Sequence, residues 1–197
     1  LAAEKFENIE ENYPFTKEAE DGLVMAAYSH YKAKDYEDSL RVIDYFLISN
    51  PISVNSEYMY YLRGLNYFSM ITNQKRGRDV VEKAQMAFRD LLVRYPNSIY
   101  RKDVYEKIKQ IRTILASNEM MIGRYYESRF NYIGASSHFL KVIANYSESI
   151  FVPEAYYRMI EVNKALGLDD DAEKYLDYLK TNYKNNRWTR HGEALFK

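Results

Sequence analysis

A small residue is followed four places on by a large apolar one, at seven by a second, and at twelve by a helix stop. This spacing recurs five times along the 197 residues. The instances are Ala2, Phe6, Ile9 and Pro14; Ser39, Ile43, Phe46 and Pro51; Ala84, Phe88, Leu91 and Pro96; Ala135, Phe139, Val142 and Ser147; and Ala172, Leu176, Leu179 and Lys184, where the proline is lost. Tyr13, Tyr95, Tyr146 and Tyr183 stand before four of the stops. Residues four and seven apart share one helix face. The small residue lets a second helix come close, and the two large ones fill the groove beyond the crossing. Proline then forbids continuation.

Each such helix has a partner upstream with its own small residue. Ala27 precedes Ser39 by twelve places and Gly123 precedes Ala135 by twelve. Gly64 precedes Ala84 by twenty, so eight residues are inserted, the polar and basic stretch from Thr72 to Asp79. Helical periodicity covers 16–33, 36–48, 55–71, 79–94, 99–129, 132–146, 152–166 and 169–183, with no useful strand-like alternation. The helix–turn–helix unit resembles the tetratricopeptide (TPR) repeat, whose period is about 34 residues, most closely at Tyr31-Lys-Ala-Lys-Asp-Tyr-Glu-Asp-Ser39. The expected fold is all-α, a right-handed α-α superhelix of TPR repeats. The spacing divides it into the second helix of a truncated repeat (1–14), a repeat at 15–51, one at 52–98 with the insertion 72–79, one at 99–147 with a long first helix, one at 148–184 and a tail at 185–197.

Composition narrows the function. Lys and Arg balance Asp and Glu at 28 each, which argues against a nucleic-acid binder. Residues 1–21 hold seven acids against two lysines, a net of −5, while 184–197 hold four Lys or Arg against one Glu, a net of +3. Such asymmetry points to different partners at the two ends. There is no cysteine, which excludes disulfides, thiolate metal sites and thiol catalysis. No apolar run reaches the roughly 20 residues of a membrane helix. No signal peptide is visible and Leu1 is not an initiator Met, as expected of a mature or trimmed fragment. His30, His138 and His191 lack metal-ligand spacing, and no Walker loop, dinucleotide glycine pattern or nucleophile elbow is present. Neither an enzyme nor a cofactor is expected. Asp169, Asp170 and Asp171 read as helix-capping residues, and the basic run from Lys75 to Arg78 as a solvated loop, with a docking loop as the alternative.

Tyrosine, present 21 times, has an apolar body and a polar tip that suit binding surfaces as well as packed faces. The repeat register assigns Leu23, Ala26, Ala27 and His30 to packing, and in the third unit Tyr60, Gly64 and Tyr67. It leaves Val24, Tyr28, Tyr31, Lys32, Tyr58, Tyr61, Leu65 and Phe68 facing the concave side. Aromatic residues that packing does not need form a candidate binding groove. The later units are more polar on that face, with Met120, Arg124 and Glu127, then Glu154, Tyr157, Glu161 and Lys164.

The chain resembles the BamD (ComL) family of outer-membrane assembly lipoproteins along nearly its whole length. The resemblance is carried by Ala3-Glu-Lys-Phe-Glu-Asn-Ile-Glu-Glu-Asn-Tyr-Pro-Phe15, Ala27-Tyr-Ser-His-Tyr-Lys32, Tyr60-Tyr-Leu-Arg-Gly-Leu65, Phe88-Arg-Asp-Leu-Leu-Val-Arg-Tyr-Pro-Asn-Ser98, Gly123-Arg-Tyr-Tyr126 and Gly167-Leu168 ahead of Ala172-Glu-Lys174. It implies five repeats at the periplasmic face of a Gram-negative outer membrane, in the β-barrel assembly (BAM) machinery. The implied role is a scaffold and substrate receptor in the folding and insertion of β-barrel proteins. The implied partners are a BamA-like barrel subunit bound through its POTRA domains, other assembly lipoproteins, and the C-terminal signal strands of unfolded barrel proteins. On this reading Val24, Tyr28, Tyr31, Tyr58, Tyr61, Leu65 and Phe68 form the substrate groove, and Tyr157, Glu161, Lys164 and Trp188 the partner-subunit surface. Family members are anchored by a lipidated N-terminal Cys, which this chain lacks, as expected if it begins after the anchor. The alternative is a general TPR adaptor or co-chaperone that binds peptide segments; those that grip acidic C-termini place Lys, Arg and Asn where this chain has tyrosine.

Overall fold

The computed structural model describes residues 2–12, 16–74 and 78–197. The described residues form ten helices and the turns that join them: α1 (Ala2–Asn12), α2 (Lys17–Ala33), α3 (Tyr36–Ser49), α4 (Ser56–Gln74), α5 (Arg78–Arg94), α6 (Arg101–Ser128), α7 (Tyr132–Asn145), α8 (Val152–Ala165), α9 (Asp169–Asn182) and α10 (Arg187–Ala194). The all-α expectation holds. The stop at Pro14 with its Tyr13, and the basic run from Lys75 through Gly77, lie outside the described residues. The chain divides into two compact units, residues 1–111 and 112–197.

In the N-terminal unit α1 packs on α2, α2 on α3, α3 on α4 and α4 on α5. Thr16 caps α2, its side chain accepting from the Ala19 amide at 3.1 Å. Leu23, Ala26 and Ala27 of α2, Val42, Ile43 and Phe46 of α3, and Met59 and Leu62 of α4 form one core. The close approach read from the small-residue spacing is visible: Ser39 Oγ donates to the Ala27 carbonyl at 2.8 Å. Asn66 Nδ2 donates in turn to Ser39 Oγ at 3.0 Å and to the Leu62 carbonyl at 2.8 Å. At the next crossing a Cβ placed on Gly64 would lie 2.4 Å from Phe88 Cε1. Only glycine leaves room for that ring. Tyr60 and Tyr67, assigned to packing, are half-buried, whereas Met59, Leu62 and Asn66 of the same helix are fully buried. Helix α4 also runs to Gln74, three residues past its expected end, so the insertion is partly helical.

The C-terminal unit repeats the design. A Cβ on Gly123 would lie 2.5 Å from Phe139 Cε1. Ala116 and Met120 of α6, Ala135, Phe139 and Val142 of α7, and Val152, Ala155, Met159 and Val162 of α8 make one core. A second core joins Ile160 to Ala172, Leu176 and Leu179 of α9. Asn131 caps α7 through the Gly134 amide at 2.9 Å. The expected caps at Asp169 to Asp171 are corrected: Leu168 holds the N-cap position, with no side-chain cap bond. The aspartates sit in the first turn, where they favour the helix dipole and pair outward, Asp169 with Lys164 at 3.5 Å and Asp171 with Lys174 at 2.7 Å.

Three turns between paired helices share one device. Lys34, Phe130 and Gly167 have φ of 68°, 57° and 73°, each five places before the small crossing residue (Ser39, Ala135, Ala172). The next amide closes each turn on a carbonyl five back: Asp35 on His30 at 2.9 Å, Asn131 on Tyr126 at 3.0 Å and Leu168 on Asn163 at 2.8 Å. Phe130 is exposed and bulky, and left-handed backbone costs such a residue about 1–2 kcal/mol. Phe130→Gly is therefore expected to raise stability by about 1 kcal/mol and Gly167→Ala to lower it by a similar amount, read as shifts of the urea midpoint at unchanged slope.

Candidate functional site

The N-terminal unit gathers the expected groove residues from α2 and α4 and adds the start of α6. Tyr28 is exposed, with Lys32 Nζ 5.8 Å from its ring centroid. Tyr31 Oη lies 3.4 Å from Ser69 Oγ on α4. Tyr28, Tyr100 and Tyr31 bear on the Tyr58 hydroxyl, which burial, the larger cause, and these neighbours push up to about 12. The Tyr61 ring stacks on Tyr100 at 4.2 Å and 6°. Its hydroxyl donates to Asp103 Oδ2 at 2.8 Å. Burial and this bond hold the Tyr61 proton well above the ordinary phenol value. Lys107 Nζ lies 3.4 Å from Asp103 Oδ1 and 5.2 Å from the Phe68 ring centroid. Tyr100, Asp103 and Lys107 are the members that the repeat register missed. The Arg-Tyr-Pro-Asn-Ser98 stop read as an ending rather than as the approach to another wall of the groove.

One part of the expectation is corrected. Val24, Tyr31, Tyr58 and Leu65 pack against the N-terminal core and are half-buried. The assumption that packing does not use them fails, because each helix face here is wide enough to serve core and groove together. The Tyr31 and Tyr61 hydroxyls and the Tyr61–Tyr100 stack remain as the polar and aromatic part of the candidate surface.

In the C-terminal unit the expected partner residues meet a denser network. Tyr157 donates its hydroxyl to Glu161 Oε1 at 2.7 Å, and its ring lies 5.1 Å from Trp188. Burial and Glu161 push the Tyr157 hydroxyl up to about 12. Lys164 Nζ stands 4.0 Å from the Phe196 ring centroid and 3.5 Å from Asp169. The residue that organises them is Arg158, unremarked in the sequence. Its Nη1 lies 2.8 Å from Glu161 and 3.3 Å from Glu127, and its Nε 3.7 Å from Glu154. Glu154, itself buried, accepts from Arg124 Nε at 2.8 Å. Burial would lower the Arg158 proton affinity, but the three carboxylates more than offset it and hold the guanidinium charged. Met120, expected on the open face, is fully buried in the core instead.

Trp188 belongs to a helix that the sequence left as a tail. Asn186 caps α10 through the Trp188 amide at 3.0 Å. Thr189 Oγ1 donates to the Tyr183 carbonyl at 2.7 Å, and Gly192 faces Ile160 and Leu176. Helix α10 thus closes the last pair, and Trp188 is half-buried against Tyr157 and His191. Among the described residues no helix is long and apolar enough to cross a membrane, and no group of three or more His, Asp or Glu is arranged to hold a metal.

Antiparallel helix pairs locked by a small residue, with an aromatic cluster in one unit and a charged one in the other, define a TPR-type helical scaffold. The family profile described as YfiO: Outer membrane lipoprotein matches residues 1–179, and the chain belongs to that family. It is 33% identical over 196 residues to the outer membrane protein assembly factor BamD of Rickettsia prowazekii, covering 100% of this chain and 78% of that protein. It is 30% identical over 187 residues to BamD of Caulobacter vibrioides, covering 95% of this chain and 61% of that protein. Among solved structures, the type IV pilus biogenesis factor PilW is similar over 95% of this chain and 87% of that one, at 12% identity and a TM-score of 0.34, too loose a likeness to carry a conclusion.

Proposed function

We propose that this chain is a non-catalytic scaffold and substrate receptor in outer-membrane β-barrel assembly, built as five repeats divided as the spacing divides them. The observation that carries this is its similarity, along the whole of this chain, to assembly factor BamD at 33% identity. The N-terminal groove of Tyr28, Tyr31, Tyr58 and Tyr61 suits an extended segment rich in aromatic and apolar residues, such as the C-terminal strand of an unfolded barrel protein. The C-terminal surface around Tyr157, Glu161, Lys164 and Trp188 suits a folded partner held by charge and hydrogen bonds, here the POTRA domains of a BamA-like subunit. Other assembly lipoproteins would join the same complex, at the periplasmic face of the outer membrane, with a lipid anchor on the full-length protein.

A fluorescently labelled C-terminal strand peptide tests the groove. Tyr28→Ala together with Tyr61→Ala is expected to weaken its binding at least tenfold with unchanged helical circular dichroism. Unchanged affinity would remove the groove assignment. Separately, immobilised POTRA domains are expected to retain the folded chain, and failure to do so counts against the docking role.

A further inference from the structure

The C-terminal unit contains a cleft of about 460 Å³ walled by Arg124 and Glu127 of α6, Tyr132 of α7, and Arg158, Glu161 and Ala165 of α8. Its charges do not balance. Among the described residues, Glu127, Glu154 and Glu161 pair with Arg124 and Arg158, three carboxylates against two guanidiniums. Arg124 is engaged by Glu154, and Arg158 lies closest to Glu161, so Glu127 holds a share of a cation already used twice. The nearby Lys164 turns to Asp169 and the Phe196 ring. A second, independent feature lies beside the cleft. Phe130 is 79% exposed, and its ring centroid is 6.4 Å from that of Tyr132, a wall residue. Ile133 next to it is 76% exposed.

We propose that this cleft receives an arginine side chain of a partner polypeptide, whose neighbouring apolar residue rests on Phe130 and Tyr132. The inference rests on the reading of the C-terminal unit as a docking unit. A cation supplies the missing charge, whereas an anion would meet two guanidiniums that are already paired. A planar guanidinium can bridge Glu127 and Glu161 with parallel N–H donors while its flat face lies against the Tyr132 ring; a lysine ammonium is a point charge with no planar face and matches this geometry less well. Burial is the main reason that the Glu127 carboxyl is held up to about 7; Glu161 and Glu154 add to it, and Arg158 and Arg124 oppose it. The other polar groups at the site are the hydroxyls of Ser128 on α6, Tyr132 on α7 and Tyr157 on α8. An arriving cation favours ionised Glu127, so binding tightens as pH rises through that value.

The test is an amide NMR titration of the whole chain with Nα-acetyl-argininamide and, in parallel, the uncharged Nα-acetyl-citrullinamide. Saturable shifts at Tyr132 and Ala165 are expected with the arginine probe, at least tenfold weaker with citrulline, and up to about tenfold tighter at pH 8 than at pH 6. Glu127→Gln should abolish the preference for arginine and the pH dependence together. Equal responses to the two probes, or an arginine response untouched by pH and by Glu127→Gln, would overturn the proposal. Because neither probe involves a POTRA domain, this failure is separate from a failure of the docking role.

Discussion

Phe88→Ala should lower the stability of the N-terminal unit by about 3–5 kcal/mol, and in that background Gly64→Ala should change from destabilising to stabilising. Phe88 is fully buried, so truncation removes its apolar contacts and leaves a cavity that its neighbours only partly fill. In the native chain, alanine at position 64 gains about 1 kcal/mol of helix propensity. It also drives a methyl to 2.4 Å from an immobile ring. Overpacking of that kind costs about 1–3 kcal/mol and dominates. Without the ring, only the propensity gain remains. A double-mutant cycle by urea denaturation reads the coupling directly. Additive effects would mean that the ring and the glycine do not constrain one another.

Arg158→Met should cost the C-terminal unit about 2–3 kcal/mol at pH 8 and markedly less at pH 5. The substitution leaves three half-buried or buried carboxylates without their shared cation, a loss of about 3–5 kcal/mol when wholly buried. The Arg158 side chain keeps 25% of its exposure, so solvent screening trims that figure. The pH dependence follows from Glu127. Its carboxyl is raised from 4.5 to about 7, so its contribution to stability is full below the ordinary value and lost as pH rises through about 7. Removing Arg158 raises that carboxyl further, and protonation at pH 5 relieves the repulsion. Chemical denaturation at the two pH values checks it; an equal loss at both would show that Arg158 acts through packing alone.

The repeat was legible because its crossings demand extreme residues. Gly64 and Gly123 each answer to the ring of one phenylalanine, and Ala27 and Ser39 to each other across their crossing, so their spacing survives as a pattern. The aromatic cluster of α2 and α4 was legible in composition but not in exposure, since register places a tyrosine on a face without saying how far the core reaches under it. Arg158 and Asp103 were silent because a polar contact across helices, with Glu127 for the one and with the Tyr61 hydroxyl for the other, leaves no periodic trace; Arg158 is one charge among 28 basic residues until α6 and α8 are set side by side. Helix α10 was missed for a related reason. It has eight residues, and only Thr189 and Gly192 are buried. Neither looks apolar enough to announce a packed face.

The serines at the loops entering α4 and α6 carry a consequence for how the molecule comes apart. Ser53 Oγ donates to Glu20 of α2, and Ser98 Oγ donates to Glu57 of α4 at 2.6 Å. Each Ser Oγ also accepts from the amide two residues on, Asn55 at 2.9 Å and Tyr100 at 3.1 Å. Every such clasp ties the beginning of one helix pair to the beginning of the pair before it, and to no other. Mechanical or thermal opening should therefore advance along the N-terminal unit one clasp at a time, like a row of hooks released in sequence. A lesion at one crossing would be felt by its immediate neighbours and fade beyond them.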